Sequence, residues 1–364
     1  MNHTLNRWQL FLLTVSFLTG SSLLMAPNLT SFYSKQDAWL SMITAIAIGV
    51  LINSLWIYLL SLYQYQSIFD IVETVSGKWI GSILSLIIVY YSLHLCSYVV
   101  RNVSNFMISS VLPDTNAWTF QVMLILVSLY SCYYGLNNIA RVNEFLNPIM
   151  AVLFIASLLL TLNRFDIRYF KPVMEEPLTK ILQGAYTTTG FPFIEVILFG
   201  TVFTYVKKKK KLMRTYLNAI VASGIILLIT IIVAIGCDGY YMVSRTTFPT
   251  FELMRAINIV KLLERIEILI AVVWIVGIFA KIVICFLAAM MGLQQVAKHH
   301  SYGPFLLPAG LLVWAMSNHQ HSNTMEFTDF VAKNWTLWWF TLYILLIVVL
   351  IIGVILKKNK RSEP

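Results

Sequence analysis

Gly20-Ser21-Ser22-Leu23-Leu24-Met25-Ala26-Pro27 lies in the middle of one apolar run, and Thr187-Thr188-Thr189-Gly190-Phe191-Pro192-Phe193 in the middle of another. Glycine lacks the side chain that biases the backbone towards helix, and proline removes an N–H and clashes with the preceding turn. Both segments are therefore expected to interrupt their helices and free backbone polar groups. Hydrocarbon cannot satisfy such groups, so they must face protein or a cavity. A matched pair of interruptions marks a transporter of two inverted repeats, with its binding site at the breaks. A proline kink with no ligand is the competing reading, and it suits one broken helix better than a matched pair.

The rest of the chain agrees with a lipid setting. Hydrophobic residues make up 59% and charged residues 12%, with a mean hydropathy of +0.77. A soluble domain carries about a quarter charged residues. Spans of about 20 apolar residues read at roughly 9–33, 39–62, 79–110, 117–136, 143–162, 180–205, 214–237, 262–293, 302–317 and 334–356. The expected fold is all-α integral membrane, about ten transmembrane helices in a 5+5 inverted repeat with helices 1 and 6 broken. Residues 1–364 form one domain, with half-repeats at about 9–162 and 180–356.

The net charge of +10 is placed for a membrane rather than for nucleic acid. Lys207 to Lys211 with Arg214 form one cluster, and Lys357, Lys358, Lys360 and Arg361 another, each just outside an apolar run. Ten spans with both termini cytoplasmic put both clusters inside, with Lys78, Arg141 and Lys298, as the positive-inside rule requires. Acidic residues such as Asp37, Asp114, Asp166, Glu175, Glu252 and Glu326 then fall outside. Trp118, Trp335, Trp338 and Trp339, at span ends, read as an interfacial belt. No cleavable signal peptide is expected. Cys96, Cys132, Cys237 and Cys285 form no CxxC pair and read as small buried hydrophobes. His319 and His321 lack a third ligand, so no metal is expected. No phosphate loop, nucleophile elbow or catalytic carboxylate pair supports an enzyme, and no cofactor is implied.

Several stretches then resemble the B-subunit family of endospore germinant receptors, a branch of the amino acid–polyamine–organocation transporter superfamily. They are Gln36-Asp37-Ala38-Trp39-Leu40, Gly77-Lys78-Trp79-Ile80-Gly81, Gly135-Leu136 with Arg141, and Phe165-Asp166-Ile167 with Lys171-Pro172. Phe193-Ile194-Glu195-Val196 and Glu264-Arg265-Ile266-Glu267 with Trp274 complete the set. Each is weak alone; their order along ten spans is the specific feature. The resemblance implies a LeuT-like fold and a complex with a larger membrane A subunit and a C-subunit lipoprotein. It also implies residence in the inner membrane of the spore and sensing of a small germinant, whether amino acid, sugar or ion.

The candidate ligand site starts at the breaks: Gly20, Ser21 and Ser22 from span 1, and Thr189, Gly190 and Phe191 from span 6. Unwound backbone there would meet a ligand carboxylate with half-helix N-termini. Substituting Gly20 or Gly190 by valine is thus expected to silence the response at normal protein levels. Glu195 lies about one turn past the second break. It either faces the site, as a partner for a ligand amine, a cation or a proton, or makes a structural bond to a neighbouring helix. Span 3 carries Tyr90, Tyr91, His94, Ser97, Tyr98, Arg101, Asn102 and Asn105 at helical spacing, a polar face that reads as lining a cavity. In LeuT-type folds this span faces the substrate, which puts Tyr98 and Arg101 among the ligand-binding candidates. Glu267, Trp274 and Lys281 share a face of span 8, which in sodium-coupled relatives helps build an ion site. Lys281 and Glu267 are the coupling candidates. Lys281 has two readings, an ammonium in place of the ion or a side chain snorkelling to the cytoplasmic interface, and its closeness to the span end favours snorkelling.

Three functions fit this sequence. The resemblance favours a germinant-sensing subunit. A secondary amino acid or amine transporter with net flux would share its fold and site, and a scaffold with a degenerate site would share the fold alone.

Overall fold

The computed structural model describes residues 5–256 and 267–362, apart from the side chains of 267–270 and 358–362. The helices are α1 (Arg7–Ser34), α2 (Ala38–Leu62), α3 (Ile68–Phe106), α4 (Ala117–Tyr134), α5 (Leu136–Thr161) and α6 (Leu178–Thr188). They continue with α7 (Leu212–Arg245), α8 (Pro249–Arg255), α9 (Glu267–Val296), α10 (Leu306–His319), α11 (Thr324–Lys333) and α12 (Trp335–Ser362). The described residues contain one isolated β-bridge, between Leu5 and Val206. The expected start of span 8, residues 262–266, and the Glu264-Arg265-Ile266 stretch lie outside the described residues.

Seven described stretches are long and apolar enough to cross a membrane. The first, Arg7–Leu62, has 56 residues. A single helix of that size would be about 84 Å long, against about 30 Å of hydrocarbon. The chain instead turns over Lys35–Asp37, with Lys35 at φ 46°, and α1 and α2 run as separate helices. Buried Asp37 holds the turn by accepting from the N–H groups of Met174 (2.8 Å) and Glu176 (3.3 Å). Gln36 donates to Pro172 O at 3.1 Å beside it. The Gln36-Asp37 stretch is thus a clamp for the connection that follows α5.

α1 is the central element. It touches α5, α6, α7, α8 and α9, and buried residues occur all round it. A helix with no exposed polar face belongs in a core. The outer helices show the opposite: Phe145 (72% exposed), Met123 (61%) and Leu159 (61%) on α4 and α5 point away from the protein. An apolar surface this extensive needs lipid to cover it.

The expected interruption of span 1 is corrected here. α1 is helical without a break from Arg7 to Ser34, through Gly20-Ser21-Ser22 and past Pro27. Two tertiary contacts explain its glycine and proline. A Cβ on Gly20 would lie 2.5 Å from Gly277 O, so the glycine lets α1 and α9 touch backbone to backbone. Pro27 has no N–H for the carbonyl of Leu23, and Thr250 Oγ1 of α8 donates to that carbonyl at 2.9 Å.

The second interruption is present. After α6 the chain passes through a π turn at Thr189–Ile194, with Phe191 at φ −127° and ψ 102°, and then a 3-10 segment at Glu195–Thr201.

Candidate functional site

Proline again starts the local chain of causes. Pro192 cannot donate to the Thr188 carbonyl, so the helix opens and later carbonyls turn outward. α2 and α7 receive them. Asn53 Nδ2 donates to Phe193 O at 2.8 Å, and Tyr216 Oη donates to Asn53 Oδ1 at 2.7 Å. Thr187, Thr188 and Thr189 turn their hydroxyls back onto Gln183 O, Gly184 O and Ala185 O, at 3.2, 2.9 and 2.7 Å. Such back-bonds are the usual fate of a membrane threonine. Gly190 is a contact glycine: a Cβ there would lie 2.1 Å from Thr336 Oγ1.

The opened segment delivers Glu195 to the centre of the protein, with no exposed surface. Its Oε1 accepts from Trp335 Nε1 at 2.6 Å, and its Oε2 from Lys281 Nζ. Lys281 also donates to Ser21 Oγ at 2.6 Å, and its ammonium lies 5.0 and 5.1 Å from the ring centres of Phe17 and Phe191. Four elements thus meet on one ion pair: α1 through Ser21, the broken helix through Glu195, α9 through Lys281 and α12 through Trp335. Burying two charges costs several kcal/mol each unless they are paired and hydrogen-bonded, and here both conditions are met.

Two expectations are corrected by this cluster. Lys281 does not snorkel, because its side chain is fully buried and Glu195 supplies the opposite charge inside the protein. Trp335 and Trp339 are core residues rather than part of a belt, being 2% and 0% exposed, whereas Trp118 is 54% exposed. Glu267 begins α9, but its side chain lies outside the described residues.

Beside the ion pair is a small cavity of about 20 Å³, lined among others by Ser21, Met25, Tyr98, Asn102, Phe191 and Trp335. That volume holds roughly one water molecule. Asn102 Nδ2 donates to Met25 Sδ at 3.1 Å, while Asn102 Oδ1 is buried without a protein partner. Ser22 Oγ is buried and unpartnered as well.

The polar face of α3 divides in two. Tyr98 and Asn102 reach the cavity. Tyr91 and His94 pack on α12 instead, against Trp338 (4.9 Å between ring centres) and Trp335 (5.7 Å). Arg101 points away from the cavity: its Nη1 donates to Ser317 O at 2.8 Å and its Nη2 to His321 O at 3.1 Å. A guanidinium at the C-terminal end of α10 suits the partial negative charge there. Tyr98 Oη bonds His321 Nε2, so α3 also holds the α10–α11 connection. Among the residues expected at the site, Ser21, Phe191, Glu195, Tyr98 and Lys281 come together. Gly20, Thr189 and Gly190 serve packing and backbone bonding. Asn102, read on the polar face of span 3 but not among the ligand-binding candidates, joins the site, and so does Trp335, which was expected in an interfacial belt.

The four cysteines are buried and unpaired, and the described residues hold no metal-ligating cluster of three or more His, Cys, Asp or Glu.

A central helix packed on a helix opened at a proline, with a small cavity beside them, is an arrangement similar in fold to the LeuT-fold transporters MhsT and Mhp1. MhsT in complex with L-phenylalanine superposes with a TM-score of 0.68 over 98% of each chain, at 13% sequence identity. Mhp1, a nucleobase-cation-symport-1 family transporter in a closed conformation with bromovinylhydantoin bound, gives 0.63 over 91% of this chain and 75% of its own, at 10% identity. Both likenesses establish the fold. Residues 4–325 match the family described as Spore germination protein, and the chain belongs to that family. Spore germination protein YndE of Bacillus subtilis (strain 168) is 27% identical over 363 residues, covering 98% of this chain and 97% of its own. Spore germination proteins KB and A2 of the same organism are 25% and 26% identical, covering 85% and 80% of this chain and 83% and 80% of theirs.

Proposed function

We propose that this chain is the ligand-sensing B subunit of a spore germinant receptor, acting with a membrane A subunit and a C-subunit lipoprotein in the spore inner membrane. In this reading ten spans form two inverted halves, about 9–162 and 180–356, with both termini cytoplasmic. The germinant binds between α1 and the opened helix, and its binding changes the conformation presented to the partner subunits.

One observation carries this reading: Ser21 and Trp335, which hold the buried Lys281 and Glu195, line a cavity in which Asn102 Oδ1 has no protein partner. A zwitterionic small molecule matches that set. Its carboxylate takes Lys281 and Ser21, while its ammonium takes Glu195 and Asn102. The ligand then replaces an internal ion pair by two pairs of its own, at little electrostatic cost. An amino acid is therefore the favoured germinant class. L-phenylalanine in MhsT, a chain of the same fold, is consistent with that choice.

The test is the double variant Glu195→Gln/Lys281→Gln. It removes both charges together and so leaves neither buried alone. Subunit abundance in spore membranes should stay near wild type. The half-maximal amino acid concentration for germination should rise about tenfold or more, the scale of one lost charge-assisted contact. An unchanged dose response at normal abundance would remove the cluster from ligand recognition.

A further inference from the structure

A second, larger site lies at the end of the helical bundle and shares no residue with the central cluster. It is a groove of about 670 Å³ lined by Asn6, Arg7, Trp8, Phe11, Lys207, Lys208, Thr215 and Asn218. The backbone builds it. Leu5 N donates to Tyr205 O at 2.7 Å and Lys207 N to Leu5 O at 3.0 Å, so the segment before α1 is bridged to the segment before α7. That bridge sets Arg7 beside Lys207 and Lys208. None of the described side chains lining the groove is acidic. Glu144, on the adjacent α5, is engaged by Gln9 Nε2 at 2.8 Å.

The groove has one apolar wall. Trp8 and Phe11 stack with ring centres 5.4 Å apart and planes 7° apart, and Trp8 is 56% exposed. Opposite them, Thr215 and Asn218 are in the first turns of α7. Below Asn218, Val221, Ile225 and Ile229 continue the same face of α7 and are 37%, 48% and 42% exposed. Residues three and four apart share a helix face. The surface therefore reads, from the helix ends inwards, as three cations, hydroxyl and amide donors, an aromatic pair, and an apolar track one helix face wide.

We propose that this groove binds the phosphate headgroup of an anionic glycerophospholipid, with an acyl chain along Val221, Ile225 and Ile229. The cations and donors fit a phosphodiester, which a free phosphate would share. The apolar track has no use for a soluble anion and continues in the direction an acyl chain would take. The aromatic pair is of the kind that favours headgroup depth, and it flanks the apolar run of α1. The assignment needs only that the groove lies at a bilayer boundary, and holds whichever way the chain is oriented.

The experiment uses the purified full-length chain in detergent. Native mass spectrometry counts retained lipid, and thermal shift follows titration with short-chain phosphatidylglycerol, short-chain phosphatidylcholine or inorganic phosphate. Two charge-matched variants are compared. Arg7→Gln/Lys207→Gln/Lys208→Gln empties the groove of cations. Lys210→Gln/Arg214→Gln/Lys357→Gln removes three exposed cations that do not line it. All six positions are exposed, so folding is expected to survive. Wild type and the second variant should retain phosphatidylglycerol in preference to phosphatidylcholine, and the groove variant should bind it about tenfold or more weakly. Replacing Ile225 by Asn should weaken phosphatidylglycerol while leaving any phosphate effect unchanged. Equal loss in both triple variants would reduce the effect to bulk charge and overturn the site. Equal binding of phosphatidylcholine would overturn it too, as would a phosphate shift matching that of phosphatidylglycerol. Unaltered lipid retention in the groove variant would also overturn it, and leave the cations to an acidic protein segment.

Discussion

The buried carboxylate of Glu195 and the ammonium of Lys281 supply each other's opposite charge, with Trp335 and Ser21 completing their hydrogen bonds. Glu195→Gln alone leaves the Lys281 ammonium buried beside a neutral amide and Ser21. Breaking one side of a buried pair costs about 3–5 kcal/mol. Detergent-solubilised protein should therefore melt well below wild type, and Glu195→Gln/Lys281→Gln should recover most of the loss. Additive destabilisation in the double variant would show that the two side chains do not depend on each other. Gly20→Val should also lower the melting temperature and abundance, because its Cβ meets the backbone of Gly277 rather than a ligand. Overpacking costs about 1–3 kcal/mol where side chains can yield, and backbone yields less. This reverses the sequence-based expectation of normal levels with a silent response. The reason is general: glycine in an apolar run looks the same whether it unwinds a helix or admits a neighbour. The neighbour, Gly277, is far away in sequence. Lys281 hid its role likewise, since its partner Glu195 is 86 positions upstream.

At the scale of elements, what could be read was what proline and hydropathy dictate locally. The opening at Gly190-Phe191-Pro192 was legible because Pro192 removes an N–H wherever it stands. The same rule failed at Pro27, because Thr250 of α8 repairs the loss and α1 stays helical. That repair makes a clean prediction. Thr250→Val leaves the Leu23 carbonyl buried without a donor, at about 1–3 kcal/mol. Pro27→Ala restores the ordinary helical donor to that carbonyl. The double variant Thr250→Val/Pro27→Ala should therefore be more stable than Thr250→Val by more than Pro27→Ala stabilises the wild type. Melting temperatures of the four proteins measure the coupling. Zero coupling would mean that Thr250 does not serve the proline. Trp335 marks another limit of legibility. A tryptophan opening an apolar run fits an interfacial belt as well as it fits a core hydrogen bond, and only the arrival of Glu195 decides.

At the scale of the whole molecule, the central cavity holds roughly one water, so anything larger must wait for a movement. α11 lines the cavity through Phe327 and Val331, so the proposed cover is the α10–α11 connection before it, which α3 fastens twice, through Arg101 on the carbonyls of Ser317 and His321 and through Tyr98 on His321. Glu326 Oε1 lies 3.7 Å from His321 Nδ1, and His94 packs on Tyr98 at 4.6 Å between ring centres. Burial holds the His321 imidazole below the ordinary histidine range, with Arg101 acting in the same sense and Glu326 opposing both. The sign of the pH effect follows. A histidine released to solvent titrates near about 6.5, and His321 as packed here titrates lower. Closure is thus fully favoured above about pH 6.5 and weakens as the pH falls through the depressed value. The readout is thiol labelling at Val99→Cys, which lines the cavity, in a chain whose four native cysteines have been replaced. Thiol reactivity itself changes with pH, so each rate is divided by that of a matched His321→Gln protein at the same pH. The ratio should rise between pH 7.5 and pH 5.5. Arg101→Gln should speed labelling about tenfold or more at both pH values, since each hydrogen bond from a charged donor contributes about 1.5–3 kcal/mol. A ratio that stays flat across the range would show that His321 does not sense the proton. Unchanged labelling in Arg101→Gln would mean that the α10 end is not the cover, and that entry to the Glu195–Lys281 site runs between other helices.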